Sequence, residues 1–203
     1  EQFERCLKQL AYSPASTFQQ QSIAHYSSLC GQVLYKQEKF AEAVKQFEIS
    51  VCAANESGDG GTAANSQGWL ADCLKELKNF SAAAKAYQNT IERFQGLSDQ
   101  KRGQKGVAIN VVNLSHCFQE LGEFDEAASA YQLHVDLLTR LFGESDPRVK
   151  IAKFGVVHCQ CLGRASKEAR DRLNNSMEQN SKIVSLHTAR KYSEALKLAE
   201  SVL

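Results

Sequence analysis

One apolar spacing recurs four times along the chain. Phe40, Ala43, Val44, Phe47 and Val51 form the first copy, and Phe80, Ala83, Ala84, Tyr87 and Ile91 the second. Phe124, Ala127, Ala128, Tyr131 and Val135 form the third, and Tyr192, Ala195, Leu196, Ala199 and Leu203 the fourth. Apolar residues at offsets of three, four, seven and eleven mark one face of an α-helix. A small residue three places after the first aromatic in every copy predicts a close helix–helix approach there. A unit repeated in this way points to a solenoid, and a solenoid points to binding rather than chemistry.

A further periodic segment precedes each of the first three copies. Ile23 to Gln37 carries Tyr26, Cys30, Val33 and Leu34 on one face, and Ala63 to Leu77 carries Leu70, Ala71, Leu74 and Leu77. Val107 to Leu121 carries Val111, Leu114, Phe118 and Leu121. The intervening turns Glu38-Lys39, Lys78-Asn79 and Gly122-Glu123 are short and polar, which forces the paired helices antiparallel. The prediction is an all-α right-handed solenoid of about four to five helical hairpins.

These units resemble the tetratricopeptide repeat family, whose pattern is W-x2-L-G-x2-Y, then A-x3-F, then P. Ser27, Cys30, Gly31, Leu34, Ala43 and Phe47 match in the first unit. Leu70, Ala71, Leu74, Ala83 and Tyr87 match in the second, and Leu114, Ser115, Phe118, Ala127 and Tyr131 in the third. The terminal proline is absent from all three. The step is 40 residues from Phe40 to Phe80 and 44 from Phe80 to Phe124, above the usual period of about 34. The surplus falls at Asn55–Gly61 and Gly96–Gly106, read as flexible loops. Such stretched units are similar to those of kinesin light chains and of cell-polarity adaptors related to Pins. Leu141-Phe-Gly-Glu-Ser-Asp-Pro-Arg-Val149 resembles the kinesin-light-chain linker. There Gly143 ends one helix, Asp146 caps the next and Pro147 opens it.

The expected organisation is a tail helix of a preceding repeat at 1–12, carrying Phe3, Cys6, Leu7 and Leu10, and repeats at 22–54, 63–95 and 107–141. A degenerate repeat follows at 147–178 and a short C-terminal one at 180–203. In the degenerate unit Ile151, Phe154 (or Gly155), Val157 and Cys161 are expected inward on the first helix. Ala169, Leu173 and Met177 are expected inward on the second, with Arg170 in an apolar slot. The chain reads as a piece of a longer array whose ends need a cap or a neighbour.

Composition narrows the function classes. The 203 residues have a net charge of +1, giving no global attraction for nucleic acid or acidic membrane. No apolar run approaches the ~20 residues of a membrane span, and Glu1-Gln-Phe-Glu-Arg is no signal peptide. Seven scattered cysteines fit a reducing, cytoplasmic compartment better than a disulfide framework. Cys30, Cys73 and Cys117 read as core. His158-Cys-Gln-Cys161 is the best metal candidate, but its cysteines are two apart and no second ligand pair is present, so no metal or other cofactor is expected. Gly58-Asp-Gly-Gly61 follows a helix rather than a strand and reads as a loop, not a phosphate cradle. Lys101, Arg102 and Lys105 make the Gly96–Gly106 stretch basic, without the interleaved aromatics of a nucleic-acid site. No nucleophile elbow surrounds any Ser or Cys, so the chain is not expected to be an enzyme.

The family resemblance implies that first helices line a concave groove for peptides. It assigns His25, Ser28, Gln32, Tyr35 and Lys36 to that surface in the first unit. Asn65, Trp69, Asp72 and Lys75 follow in the second, and Ile109, Val112, Asn113, His116 and Gln119 in the third. Co-chaperone repeats hold the C-terminal carboxylate of Hsp70 or Hsp90 with a basic clamp. The equivalent slots here hold Ser28, Gln32, Trp69, Ile109 and Asn113, so no such clamp is expected. The expected role is a non-catalytic adaptor or scaffold that binds a peptide segment of another protein. An assembly module using end or convex faces and self-association is the alternative, as is a docking domain of a larger enzyme.

Overall fold

A computed structural model describes residues 16–172 and, beyond them, positions 175, 179, 182, 185, 191, 193, 194, 197 and 198. The expected helix at 1–12 and the fourth copy of the apolar stripe lie outside these residues. The chain divides into two compact units, Glu1–Cys159 and Gln160–Leu203. The described residues form helices and no strands.

The first unit is an α-solenoid of antiparallel hairpins. Helix α1 (Thr17–Lys36) pairs with α2 (Phe40–Ser57), α3 (Gly60–Glu76) with α4 (Phe80–Gln95), and α5 (Gln100–Leu121) with α6 (Phe124–Phe142). Helix α7 (Pro147–Arg164) opens the next hairpin. Within each hairpin the turn is the same device. Lys39 N–H donates to Leu34 C=O, Asn79 N–H to Leu74 C=O and Glu123 N–H to Phe118 C=O, at 3.0, 3.0 and 2.8 Å. That six-residue closure needs one left-handed residue. The slot is filled by Glu38 (φ 61°), Lys78 (φ 58°) and Gly122 (φ 78°).

The two stretches expected as flexible loops are largely helical. Asp59 accepts from Thr62 N–H at 3.0 Å and starts α3 after a two-residue break at Gly58–Asp59. Asp99 accepts from Arg102 N–H at 3.0 Å and starts α5, so Lys101, Arg102 and Lys105 sit on helix rather than loop. Side-chain capping of orphan N–H groups is the cause in both cases. At α7, Asp146 Oδ1 accepts from Arg148 N–H at 2.9 Å ahead of Pro147. The Arg148 side chain holds the Asp146 carboxyl down at about 2.

The second helices bury their stripe. Ala43, Phe47, Ala83, Tyr87 and Ala127 are completely buried. Three cysteines of the first helices seat on these alanines: Cys73 with Ala43 and Phe47, Cys117 with Ala83 and Tyr87, and Cys159 with Ala127 and Ala128. Cys30 is only half-buried, short of the core position expected of it.

Two first helices are rotated from expectation. On α1 the buried face is Ala24, Ser27, Ser28 and Gly31, whereas Tyr26 and Val33 are exposed. On α7 it is Val149, Ala152 and Cys159, with Gly155, the expected alternative to Phe154, facing Tyr131, whereas Ile151, Phe154, Val157 and Cys161 point out. The reason is close approach. A Cβ on Gly31 would lie 2.7 Å from the Phe47 ring, and one on Gly155 2.6 Å from the Tyr131 ring. Dense interiors put the smallest residue where a ring must fit, and the bulky residues are left outside.

In the second unit Ser166 Oγ accepts from Ala169 N–H at 3.2 Å and starts a helix over 167–172. Ala169 is exposed there, contrary to its expected core slot. Arg170 reaches back to the Leu162 carbonyl at 3.2 Å. Leu173 and Met177 lie outside the described residues.

Candidate functional site

The contacts between neighbouring hairpins fix which positions of the first helices correspond. Trp69 stacks on Phe47, Asn113 meets Tyr87 through their shared partner Asp72, and Gly155 lies under Tyr131. The cysteines at 73, 117 and 159 give the same steps. The face formed by α1, α3, α5 and α7 then has aligned rows. One holds His25, Asn65, Ile109 and Ile151. The next holds Ser28, Gly68, Val112 and Phe154, and a third holds Gln32, Asp72, His116 and His158. Tyr35, Lys75 and Gln119 make the fourth.

At the α1–α3 end this face is polar and internally bonded. The Tyr35 hydroxyl donates to Glu76 at 3.4 Å. Lys75 donates to Asn113 Oδ1 at 3.3 Å, and Asn113 Nδ2 donates to Asp72 Oδ1 at 3.2 Å. The same carboxylate accepts from the Tyr87 hydroxyl. Burial raises the Asp72 pKa, ahead of the opposing pull of Tyr87 and Lys75. Burial with the nearby Glu76 and Asp72 charges pushes the Tyr35 hydroxyl up to about 12, so it is a hydrogen-bond donor at neutral pH. His116 Nε2 lies 3.0 Å from the Tyr131 hydroxyl, and burial, with Lys75 second, lowers its pKa. Gln119 Nε2 lies 3.2 Å from the Cys159 sulfur.

Not every residue assigned to this surface is free to meet a ligand. Ser28 is buried: its hydroxyl accepts from Ser66 at 3.2 Å, and Ser66 in turn pairs with Ser50 at 2.7 Å. Small hydroxyls at this junction satisfy one another and let α1, α2 and α3 close together. Trp69 is half-buried, edge-on to Tyr35 at 5.3 Å and stacked on Phe47 at 6.1 Å. It is a packing element between hairpins that shows one edge. His25, Asn65 and His116 are exposed, and Gln32, Tyr35, Asp72, Lys75, Asn113 and Gln119 are half-buried.

At the α5–α7 end the same rows turn apolar. Ile109, Ile151 and Phe154 are 62%, 72% and 71% exposed, and His158 stacks on Phe154 with ring centroids 6.3 Å apart. Ile151 and Phe154 were missed as surface residues because α7 reads as a rotated helix. The spacing of Cys73, Cys117 and Cys159 carried the register that places them. The sharper chemical candidate dissolves. Cys159 is buried against α6 and Cys161 is exposed, and among the described residues no group of three or more His, Cys, Asp or Glu side chains converges on a metal-sized site. Burial raises the Cys159 thiol above its ordinary range. Among the described residues no helix is long and apolar enough to cross a membrane.

No protein-family model matches the sequence, and no curated protein matches it. Among solved structures the chain is similar to the helical repeat protein in "Crystal structure of BtubC (BKLC) from P. vanneervenii". The TM-score is 0.58 with 17% identity, over 98% of this chain and 84% of that one. The likeness shows a common fold, a helical repeat solenoid.

Proposed function

We propose that this chain is a non-catalytic adaptor or scaffold of the tetratricopeptide type, holding a peptide segment of another protein along the face formed by α1, α3, α5 and α7. The observation that supports this most is the exposed Ile109, Ile151 and Phe154, on the rows that hold His25 and Asn65, and Ser28 and Gly68, earlier in the stack. Three large apolar side chains in water on one face are a binding surface in waiting. Burying each one gives about 1.5–3 kcal/mol. The polar rows supply directional contacts that set register. Six free cysteines among the described residues support a reducing, cytoplasmic setting.

The test is affinity purification with mass spectrometry on the wild type, an Ile151→Ser/Phe154→Ser variant and an Asn113→Ala/His116→Ala variant. A partner recovered by the wild type and lost from both variants, with melting temperatures retained, supports the reading. A partner retained by both sinks it. Light scattering of the wild type across a concentration series covers the alternative. A dimer abolished by Ile151→Ser/Phe154→Ser would make this face a self-association surface.

A further inference from the structure

On the other side of α5 lies a cleft of about 530 Å3, walled by α4 and α6. Its floor is closed by the core residues Ile91, Val111, Leu114 and Ala130, with half-buried Phe118 and exposed Leu133 as its open apolar surface. Leu133 is 42% exposed, so an apolar wall faces solvent. Three carboxylates stand among the lining residues: Glu92 on α4, and Asp125 and Glu126 on α6. No lining residue is cationic. Arg93, the nearest guanidinium in sequence, is turned away to Asn55 at 2.8 Å. The floor uses Val111, Leu114 and Phe118, while the first-helix face uses Ile109, Val112 and His116, so the two surfaces lie on different sides of one helix.

We propose that this cleft is a second binding site, which takes a basic amphipathic helix of a partner protein. Leucine-type side chains at helical spacing would fill the apolar floor between α4 and α6. Lysine or arginine on either flank would meet Glu92 on one wall and Asp125 and Glu126 on the other. The carboxylates favour cationic partners and repel acidic ones, which gives the cleft a sign as well as a shape. On the first-helix face the carboxylates Asp72 and Glu76 already accept from Tyr87, Asn113 and Tyr35. The two sites therefore select different partners, or two segments of one partner.

The test is fluorescence anisotropy with a labelled peptide carrying leucines at helical spacing flanked by lysines. Its counterpart carries glutamate in place of every lysine. The lysine peptide binds and the glutamate peptide does not. A Glu92→Gln/Asp125→Asn/Glu126→Gln variant weakens binding by about tenfold or more, and raising the salt does the same to the wild type. Leu133→Gln weakens it by a similar factor, while Ile151→Ser/Phe154→Ser leaves it unchanged. Far-UV circular dichroism checks that each variant keeps its helicity. No binding by the wild type, equal binding of both peptides, or an unchanged affinity in the triple variant overturns the proposal. So does a dimer seen by light scattering and abolished by the triple variant, which would give the cleft to a second copy.

Discussion

The first-helix face has two halves built on one frame and finished in opposite chemistry. Across α1 and α3 it carries His25, Asn65, Asp72 and Lys75; Asp72 and Lys75 already bond to Asn113 of α5, and Tyr35 to Glu76. Across α5 and α7 it carries Ile109, Ile151 and Phe154, all largely exposed, with the His158 ring stacked beside Phe154. A ligand on the polar half exchanges existing hydrogen bonds for new ones, so each brings less than the roughly 0.5–1.5 kcal/mol of a bond formed against water. On the apolar half it removes bare hydrocarbon from water, at roughly 25 cal/mol per Å2. In the proposed adaptor the polar half would therefore decide which ligand fits, and the apolar half how tightly it stays.

The largest expected effect comes from undoing the frame under the polar half. Phe47 is completely buried, stacks on Trp69 and covers Gly31. Phe47→Ala should cost about 3–5 kcal/mol in urea unfolding. A loss below about 1 kcal/mol would show that the Trp69 edge does not depend on that stack. Under the apolar half the corresponding joint is Gly155 against Tyr131. Gly155→Val should cost about 1–3 kcal/mol by overpacking. Ligand affinity should fall with it, because α7 can no longer seat at its present distance from α6. An unchanged melting temperature would mean that this joint is looser than the first.

A smaller effect comes from protons. Burial lowers the pKa of His116, with Lys75 adding to it and Glu120 opposing, and burial likewise lowers that of His134. As pH falls through the ordinary histidine range near 6.5, the unfolded chain takes up protons that the folded chain refuses, so stability falls. Asp72, raised by burial, works the other way once the pH nears its own titration. The melting temperature should drop between about pH 7 and pH 5, and a His116→Gln/His134→Gln variant should flatten that drop. A variant with the wild-type slope removes both histidines from the account. Smallest is the effect of the left-handed turn common to both halves. Lys78 holds a left-handed conformation at φ 58°. Lys78→Gly should raise stability by up to about 1 kcal/mol, and Gly122→Ala should lower it by a comparable amount. Thermal melts with the opposite signs would show that the strain is relieved elsewhere.

The hairpins were legible because their second helices bury one repeated stripe, and a buried stripe imposes a period on sequence. The breaks between hairpins were legible in part. Asp59 and Asp99 stand at capping positions, but glycine-rich and basic stretches beside them read as loops. The rotation of α1 and α7 was not legible by counting large apolar residues. Gly31 and Gly155 reverse the rule by admitting a neighbour's ring, so the inward face is the small one. The site followed the same division. His25, Asn65 and His116 are on the surface, while Ser28 is taken up by a buried hydroxyl chain and Trp69 by packing. A serine or tryptophan at a surface register is drawn inward by neighbours from other hairpins, and local periodicity carries no record of them.

The left-handed turn shared by Glu38, Lys78 and Gly122 has a mechanical consequence. Because these three hairpins close on the same backbone conformation, differences in repeat length fall elsewhere: α5 has 22 residues against 17 in α3, and the connection ahead of it is longer by two. Insertions there change how far apart successive reading positions stand, yet leave their phase around the stack untouched. In the proposed adaptor, spacing for ligands of different pitch is set by the connections at 58–59, 96–99 and 143–146 and by the first helices that follow them, while the turns within hairpins stay as they are.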